Sequence, residues 1–174
     1  MLRVIFIGYM GIGKTTFGRA LAKSLNLTFY DLDWYIASRR RKTITEIFEE
    51  EGAEAFRDIE RNMLHEVAEF EDVVISCGGG TPCFYDNMEY MNQQAVTIYL
   101  KADLDFILNH LQDSKNQRPL LKGKTEAELR DFVSEQLPER EKYYMQAKHI
   151  IELSDILGKE KIYGKIEEIK ELLL

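Results

Sequence analysis

Two hydrophobic rhythms take turns along the chain, and their order predicts the architecture. Arg3-Val4-Ile5-Phe6-Ile7 is an apolar, β-branched run suited to a strand covered on both faces. From Thr16 onward Phe17, Leu21 and Leu25 recur at helical spacing. Further strands are expected at Thr28-Phe29-Tyr30, Val73-Val74-Ile75-Ser76, Ala95 to Leu100, and Ile150-Ile151-Glu152-Leu153. Thr43-Ile44-Thr45-Glu46 has the form of a capping box opening a helix with Ile47 and Phe48, and Gly52 reads as its stop. A longer helix covers Ala55 to Ala68 on a stripe of Phe56, Ile59, Met63, Leu64 and Val67. Asp103 can cap a helix through Phe106, Ile107 and Leu111. Thr125-x-x-Glu128 is a second capping-box match, opening a helix that Pro138 should kink or restart. An amphipathic helix from Ile162 to Leu174 closes the chain. Strands alternating with helices, without repeat, linker or composition break, predict one α/β domain over residues 1–174, a parallel sheet with helices on both faces.

The stretch between the first strand and first helix carries the strongest chemical signal. Gly8-Tyr9-Met10-Gly11-Ile12-Gly13-Lys14-Thr15 reads G-x-x-x-x-G-K-T, with strand before and helix after. Glycines let the backbone turn its N–H groups toward an anion, and the new helix adds its positive end. Gly11, Ile12, Gly13, Lys14, Thr15 and Thr16 are therefore the candidate triphosphate cradle, with Lys14 on the β/γ-phosphates and the Thr15 hydroxyl as a Mg²⁺ ligand.

Other polar positions gain meaning from that loop. Asp31 and Asp33 alternate at the end of the second strand, where ligands of α/β sheets bind; an extended chain would put both on one side. One can hold the metal through water and the other can accept a hydroxyl proton. Alternatively, Asp33 caps the following helix. Arg57 and Glu60 lie three apart on one helix; exposed, they form a bland ion pair, but partly buried, Glu60 would hold the Arg57 fork for a ligand carboxylate. Gly78-Gly79-Gly80 follows the third strand and is costly in chain entropy unless backbone must approach something closely. Residues 112–124, polar and carrying Pro119 and Gly123, suit either an ordinary surface loop or a lid on which Arg118 could reach a phosphate. Arg39-Arg40-Arg41-Lys42 reads as a solvated helix end. His65, His110 and His149 have no sequence partner and receive no chemistry.

A formal net charge of −7 argues against broad binding to nucleic acid or acidic membranes, while small anions remain open to local arginines. No leader-like N-terminus and no run near a membrane-span length is visible, so a cytoplasmic protein is expected. Cys77 and Cys83, with no histidine nearby in sequence, read as reduced thiols rather than a zinc site, with a disulfide between them as the alternative.

An ordered set of motifs resembles the shikimate kinase family across nearly the whole chain: Gly8 to Thr15 with Thr16, Asp31-x-Asp33, Phe56-Arg57-x-x-Glu60, Gly78-Gly79-Gly80, Arg118-Pro119-Leu120-Leu121 and Arg140-x-x-Tyr143. The resemblance implies a three-layer P-loop fold with strand order 2-3-1-4-5, a mobile lid near 112–124 and a substrate-binding helical region near 33–61. It implies transfer of the ATP γ-phosphoryl group to the 3-hydroxyl of shikimate with Mg²⁺, in a monomer of the chorismate-forming pathway. By position, Lys14, Asp33 and Arg118 would be catalytic, and Arg118 would also contact the nucleotide. Asp33, Arg57, Gly79 and Arg140 would bind shikimate, and Thr15 and Asp31 would serve the metal. Two departures stand out: Gly52 is followed by Ala53, with Glu54 one place later, and Asn109-His110-Leu111-Gln112 lacks the arginine that many relatives pack on adenine. A gluconate kinase-like enzyme, a GTP-dependent switch and a non-catalytic nucleotide-binding module are the competing classes. The switch lacks an Asn-Lys-x-Asp motif, and a mere binder has no need of Lys14, Thr15, Asp33 and Arg118 together.

Overall fold

The computed structural model describes residues 1–114, 121–154 and 158–174. Its centre is a five-stranded parallel sheet in the order β2-β3-β1-β4-β5. The strands are β1 (Arg3–Ile7), β2 (Thr28–Asp31), β3 (Val73–Ser76), β4 (Val96–Lys101) and β5 (His149–Glu152). Val4, Ile5, Phe6 and Ile7 are all fully buried. Since successive strand residues point to opposite faces, both faces of the sheet are covered, as the unbroken apolar run requires.

Helices supply that cover: α1 (Lys14–Leu25), α2 (Leu32–Arg40), α3 (Ile44–Val67), α4 (Asn87–Gln94), α5 (Leu104–Ser114), α6 (Glu126–Tyr144) and α7 (Lys159–Leu173). Helix α1 packs against β3 and α7. Gly18 permits that approach, because a Cβ there would stand 2.6 Å from Ser76 Oγ and 2.5 Å from a Phe29 ring carbon. The Ser76 hydroxyl then donates to the carbonyl of Lys14 at 2.8 Å, tying the first turn of α1 to the end of β3.

Several local signals behave as read. Thr43 and Glu46 form a reciprocal capping box, and Asp103 accepts from the Phe106 N–H at 2.8 Å. Gly52 adopts φ 88°, ψ 169°, breaking α3 into two helical segments at the expected place. At the second box, the Thr125 side chain caps the Glu128 N–H at 3.2 Å, while the Glu128 carboxylate accepts from the Thr125 hydroxyl at 3.1 Å. Pro138 does not restart the helix: α6 runs through it as one element from Glu126 to Tyr144. Proline removes the N–H that would bond the carbonyl four residues back, and that residue, Ser134, is exposed, so its carbonyl stays within reach of solvent. Arg39 and Arg40 end α2 in surface pairs with Glu66 and Glu51, as a solvated helix end should. Among the described residues, no helix is long and apolar enough to cross a membrane. The expected lid is described at its borders, the end of α5 and a turn over 121–123; Arg118 lies outside the described residues.

Candidate active site

The phosphate loop leaves β1 and re-enters regular structure at Lys14. Gly11 and Gly13 have φ of 77° and 98°, a region that disfavours side-chain-bearing residues, so the loop's turns depend on glycine. Lys14 folds back over the loop it follows, donating from Nζ to the carbonyls of Gly8 (2.8 Å) and Tyr9 (2.7 Å). An ammonium held this way stands over the loop's concave side, where the phosphates of a nucleotide would lie.

The second strand delivers its aspartates by a different geometry than alternation suggests. Backbone extension ends at Asp31, because α2 starts at Leu32. Asp31, not Asp33, is the cap: its Oδ1 accepts from the Trp34 N–H at 3.1 Å. Its other oxygen accepts from the Thr15 hydroxyl at 2.8 Å. Asp33 sits in the first helical turn. Both carboxylates still line one cavity of about 530 Å³, together with Gly11, Gly13, Lys14, Thr15, Trp34, Cys77 and His110.

A second cavity of about 420 Å³ adjoins it, lined by Arg57, Arg140, Glu60, Phe48, Phe56, Glu49 and the three glycines. Met10, Asp33, Gly78 and Gly79 border both cavities. A carboxylate thus marks the boundary between a space walled by the glycine loop and Lys14 and a space holding two guanidinium groups. Phosphoryl transfer needs this geometry, since it depends on placing two reactants side by side.

The triple glycine explains how the boundary is packed. A Cβ at Gly78 would meet Asp33 Oδ1 at 3.2 Å, one at Gly79 would meet Arg140 Nη1 at 3.0 Å, and one at Gly80 would meet Arg57 Nη2 at 2.7 Å. Each glycine makes room for a different charged side chain.

Arg57 and Glu60 form the partly buried version of the pair. The Nη1···Oε1 distance is 2.9 Å, Arg57 is 16% exposed and Glu60 only 1%. Glu60 also accepts from the Thr81 hydroxyl at 2.9 Å, and the Phe84 ring centroid lies 4.0 Å from Arg57 Cζ. The fork is therefore fixed on two sides and open on the cavity side. Thr81 and Phe84 escaped the sequence reading because they reach Arg57 and Glu60 only through the fold.

Two sequence assignments are refined here. Beside Arg140, Tyr144 turns inward, fully buried, with its hydroxyl bonded to the Gly79 carbonyl, while Tyr143 is 37% exposed. The helical stripe of Leu129 and Val133 could have shown this, since Tyr144 lies about three turns beyond Val133. His110 lies on the wall of the phosphate-side cavity, its Nδ1 on the Phe106 carbonyl at 2.8 Å and its ring stacked on Phe106.

Both cysteines are free thiols. Burial pushes the Cys77 thiol well above its ordinary value and lifts Cys83 to about 11, against the pull of Arg140 and Arg57, so neither is a ready nucleophile.

The donor set fits a hard cation bound sparingly. Mg²⁺ keeps several waters and takes one or two protein oxygens beside substrate phosphates. Thr15 Oγ1 and Asp31 Oδ2 are such oxygens, already in contact. Among the described residues there is no cluster of three or more His, Cys, Asp or Glu that would make a dedicated protein cage.

Comparison with known proteins agrees with this geometry. The family model for shikimate kinase matches residues 10–170. A shikimate kinase of Bacteroides thetaiotaomicron is 49% identical over 173 residues, covering 99% of each chain. The crystal structure of a shikimate kinase from that organism superposes with a TM-score of 0.95 at 49% identity, over 99% of this chain and 98% of that one. Shikimate kinase from Acinetobacter baumannii, solved in complex with shikimate, gives a TM-score of 0.83 at 32% identity, over 99% of this chain and 93% of that one. With its ordered motifs, its 2-3-1-4-5 sheet and a match over nearly its full length, the chain belongs to the shikimate kinase family.

Proposed function

We propose that the protein transfers the γ-phosphoryl group of ATP to the 3-hydroxyl of shikimate, giving shikimate 3-phosphate and ADP, with the residue roles that follow. The observation that carries this reading is the pair of adjoining cavities bordered by Asp33, one holding the phosphate loop and the other Arg57 and Arg140.

Shikimate presents a carboxylate at one end and hydroxyls at the other. Arg57 and Arg140 bind the carboxylate, each planar fork matching its two oxygens. Gly79 brings backbone close to the ring, and Asp33 accepts from a ring hydroxyl, orienting it and taking its proton as the new bond forms. Gly11 to Thr16 cradle the phosphates, and Lys14 neutralises charge on the β/γ-oxygens. Arg118, by its place in the family's motif, would add a second cation at the transferring phosphate. Mg²⁺, when bound, would neutralise phosphate charge; Thr15 would hold it directly and Asp31 through water. Lys14 remains on the Gly8 and Tyr9 carbonyls until a stronger anionic acceptor arrives.

The reading takes the protein as a cytoplasmic monomer without nucleic-acid or membrane partners, in keeping with its net charge of −7. Light scattering checks the oligomeric state. The decisive assay is ADP release with Mg·ATP, with and without shikimate, beside gluconate and quinate. Release that depends strongly on shikimate is expected. Bound ATP with no stimulation by any acid would overturn the reading in favour of a nucleotide-binding module.

A further inference from the structure

Tyr9, Tyr99 and Tyr144 are the three largest fully buried side chains, and they gather where α6 meets the loops after β1 and β3. Each hydroxyl is committed. Tyr9 donates to Gln136 Oε1 at 2.5 Å and Tyr99 to Glu141 Oε2 at 2.9 Å. Tyr144 donates to the carbonyl of Gly79, and the positive charge of Arg140, one helical turn back, acts on the same hydroxyl. Its ring packs on Tyr99, with centroids 5.1 Å apart. Arg140 is itself flanked by the Tyr9 ring at 5.8 Å and by Gly79, whose missing Cβ leaves 3.0 Å to Nη1. Burial pushes the Tyr144 phenol far up, so it keeps its proton for the Gly79 carbonyl at every working pH.

We infer that Tyr144 is a positioning residue: its hydroxyl joins Arg140 to the glycine segment and so sets the aim of one arm of the carboxylate clamp. The inference rests on the reading that Arg140 meets the carboxylate of the acid substrate. Arg140 has a long, flexible stem, and a guanidinium on such a stem binds well only if its orientation is fixed beforehand. Glu60 does this for Arg57. The Tyr144 phenol does it for Arg140, using a neutral acceptor, so the full positive charge of Arg140 stays available to the substrate. The two arms therefore differ: Arg57 is held by a countercharge and Arg140 by a dipole.

Tyr144→Phe keeps the ring and its packing on Tyr99 and removes only the oxygen. Losing the hydroxyl dipole that faces a charged group predicts a rise of roughly tenfold in the KM for shikimate. The KM for ATP should stay within about twofold, because neither Tyr144 nor Arg140 lines the cavity that holds Lys14 and Thr15. In an Arg140→Ala background the same substitution should change the shikimate KM less than about twofold, since the group it acts through is gone. Tyr99→Phe is the control: it also deletes a buried, hydrogen-bonded hydroxyl, but on Glu141, and should lower Tm while leaving both KM values in place.

Non-additivity of Tyr144 and Arg140, confined to shikimate, supports the inference. A Tyr144→Phe protein with a lowered Tm and unchanged shikimate KM overturns it, as does an additive cycle or an equal rise in both KM values. Wild-type ADP release that ignores shikimate would instead remove the substrate reading beneath it, so the two failures are told apart.

Discussion

Adding one methyl group at Gly80 should weaken shikimate binding without weakening the fold. Gly80 has φ −89° and ψ −14°, which alanine adopts without strain, so the backbone accepts the change. The new Cβ would stand 2.7 Å from Arg57 Nη2, 2.8 Å from Nη1 and 3.0 Å from Cζ. Non-bonded heavy atoms settle at about 3.5 Å, so the guanidinium must retreat by roughly 0.8 Å. Phe84, its ring centroid 4.0 Å from Cζ, bounds the space available. The retreat therefore stretches the 2.9 Å bond to Glu60 and turns the fork away from the cavity. Losing one charged hydrogen bond to the substrate costs about 1.5–3 kcal/mol, or roughly a tenfold to hundredfold rise in the shikimate KM. The opposing effect is small: alanine lowers the entropy of the unfolded chain and stabilises by about 0.4–1 kcal/mol where the site can yield. Arg57 is a flexible side chain, so it yields. Steady-state ADP release gives both KM values and thermal unfolding gives Tm, which should move by no more than about 4 °C. A Gly80→Ala enzyme with a normal Tm and a shikimate KM within about twofold of wild type would show that Arg57 does not hold the carboxylate. Gly164 is the matched control. It lies inside α7 with open space where a Cβ would go, so Gly164→Ala should raise stability by about 0.5–1 kcal/mol and leave kinetics alone.

Other parts of the site can be tested singly. Asp33→Asn should lower kcat by about 10²–10⁴ with ATP affinity retained; turnover within a few-fold of wild type would remove Asp33 from proton transfer. Asp31→Asn should raise the Mg²⁺ concentration needed for half-maximal rate by about tenfold or more, read from a magnesium titration at fixed ATP; no shift would detach Asp31 from the metal. Cys83 has its pKa raised from 9.0 to about 11 by burial, so its contribution to stability is whole below pH 9 and is lost as pH rises through about 11. Urea midpoints measured across that window should fall less steeply for Cys83→Ala than for wild type, and identical slopes would contradict the assignment.

What was legible in the sequence was whatever neighbouring residues decide among themselves. A strand, a glycine loop and a helix in succession need only local rules, and β1, Gly8 to Thr15 and α1 follow them. Thr43 with Glu46 and Asp103 with Phe106 close over three residues and formed as read. Spacing lost its power where burial decides. Arg57 and Glu60 three apart are compatible with a weak surface pair, and what makes them otherwise is Thr81, which arrives from beyond β3 to bond the same carboxylate. Asp31 and Asp33 reach one cavity, but through the start of α2 rather than by strand alternation, because Asp31 caps the helix and ends the strand together. The short Thr81–Cys83 turn and α4 were not foreseen. Helix α4 is only eight residues long, too short to establish a period.

The triple glycine shows the limit most clearly. Its cost is visible in sequence, since three adjacent glycines surrender chain entropy. Its return is not, because the side chains that need the space come from α2, α3 and α6. Asp33, Arg57 and Arg140 each rest where one of Gly78, Gly79 and Gly80 lacks a Cβ. Three charged groups thereby converge on one short segment at the end of β3, close enough to act on one small molecule. Without the glycines the same residues would still be present, but their charged ends would be held apart by methyl groups. The segment therefore sets the size of the cavity that holds Arg57 and Arg140 as well as its contacts. Alanines at 78, 79 and 80 should accordingly give three distinct phenotypes, one per displaced side chain. Gly78→Ala should depress kcat through Asp33, Gly80→Ala should raise the shikimate KM through Arg57, and Gly79→Ala should impair both shikimate binding and the phosphate loop. That position alone has backbone, the Met10 nitrogen at 3.3 Å, beside the arginine it would strike. A shared phenotype for all three would mean that the segment acts only as flexible chain.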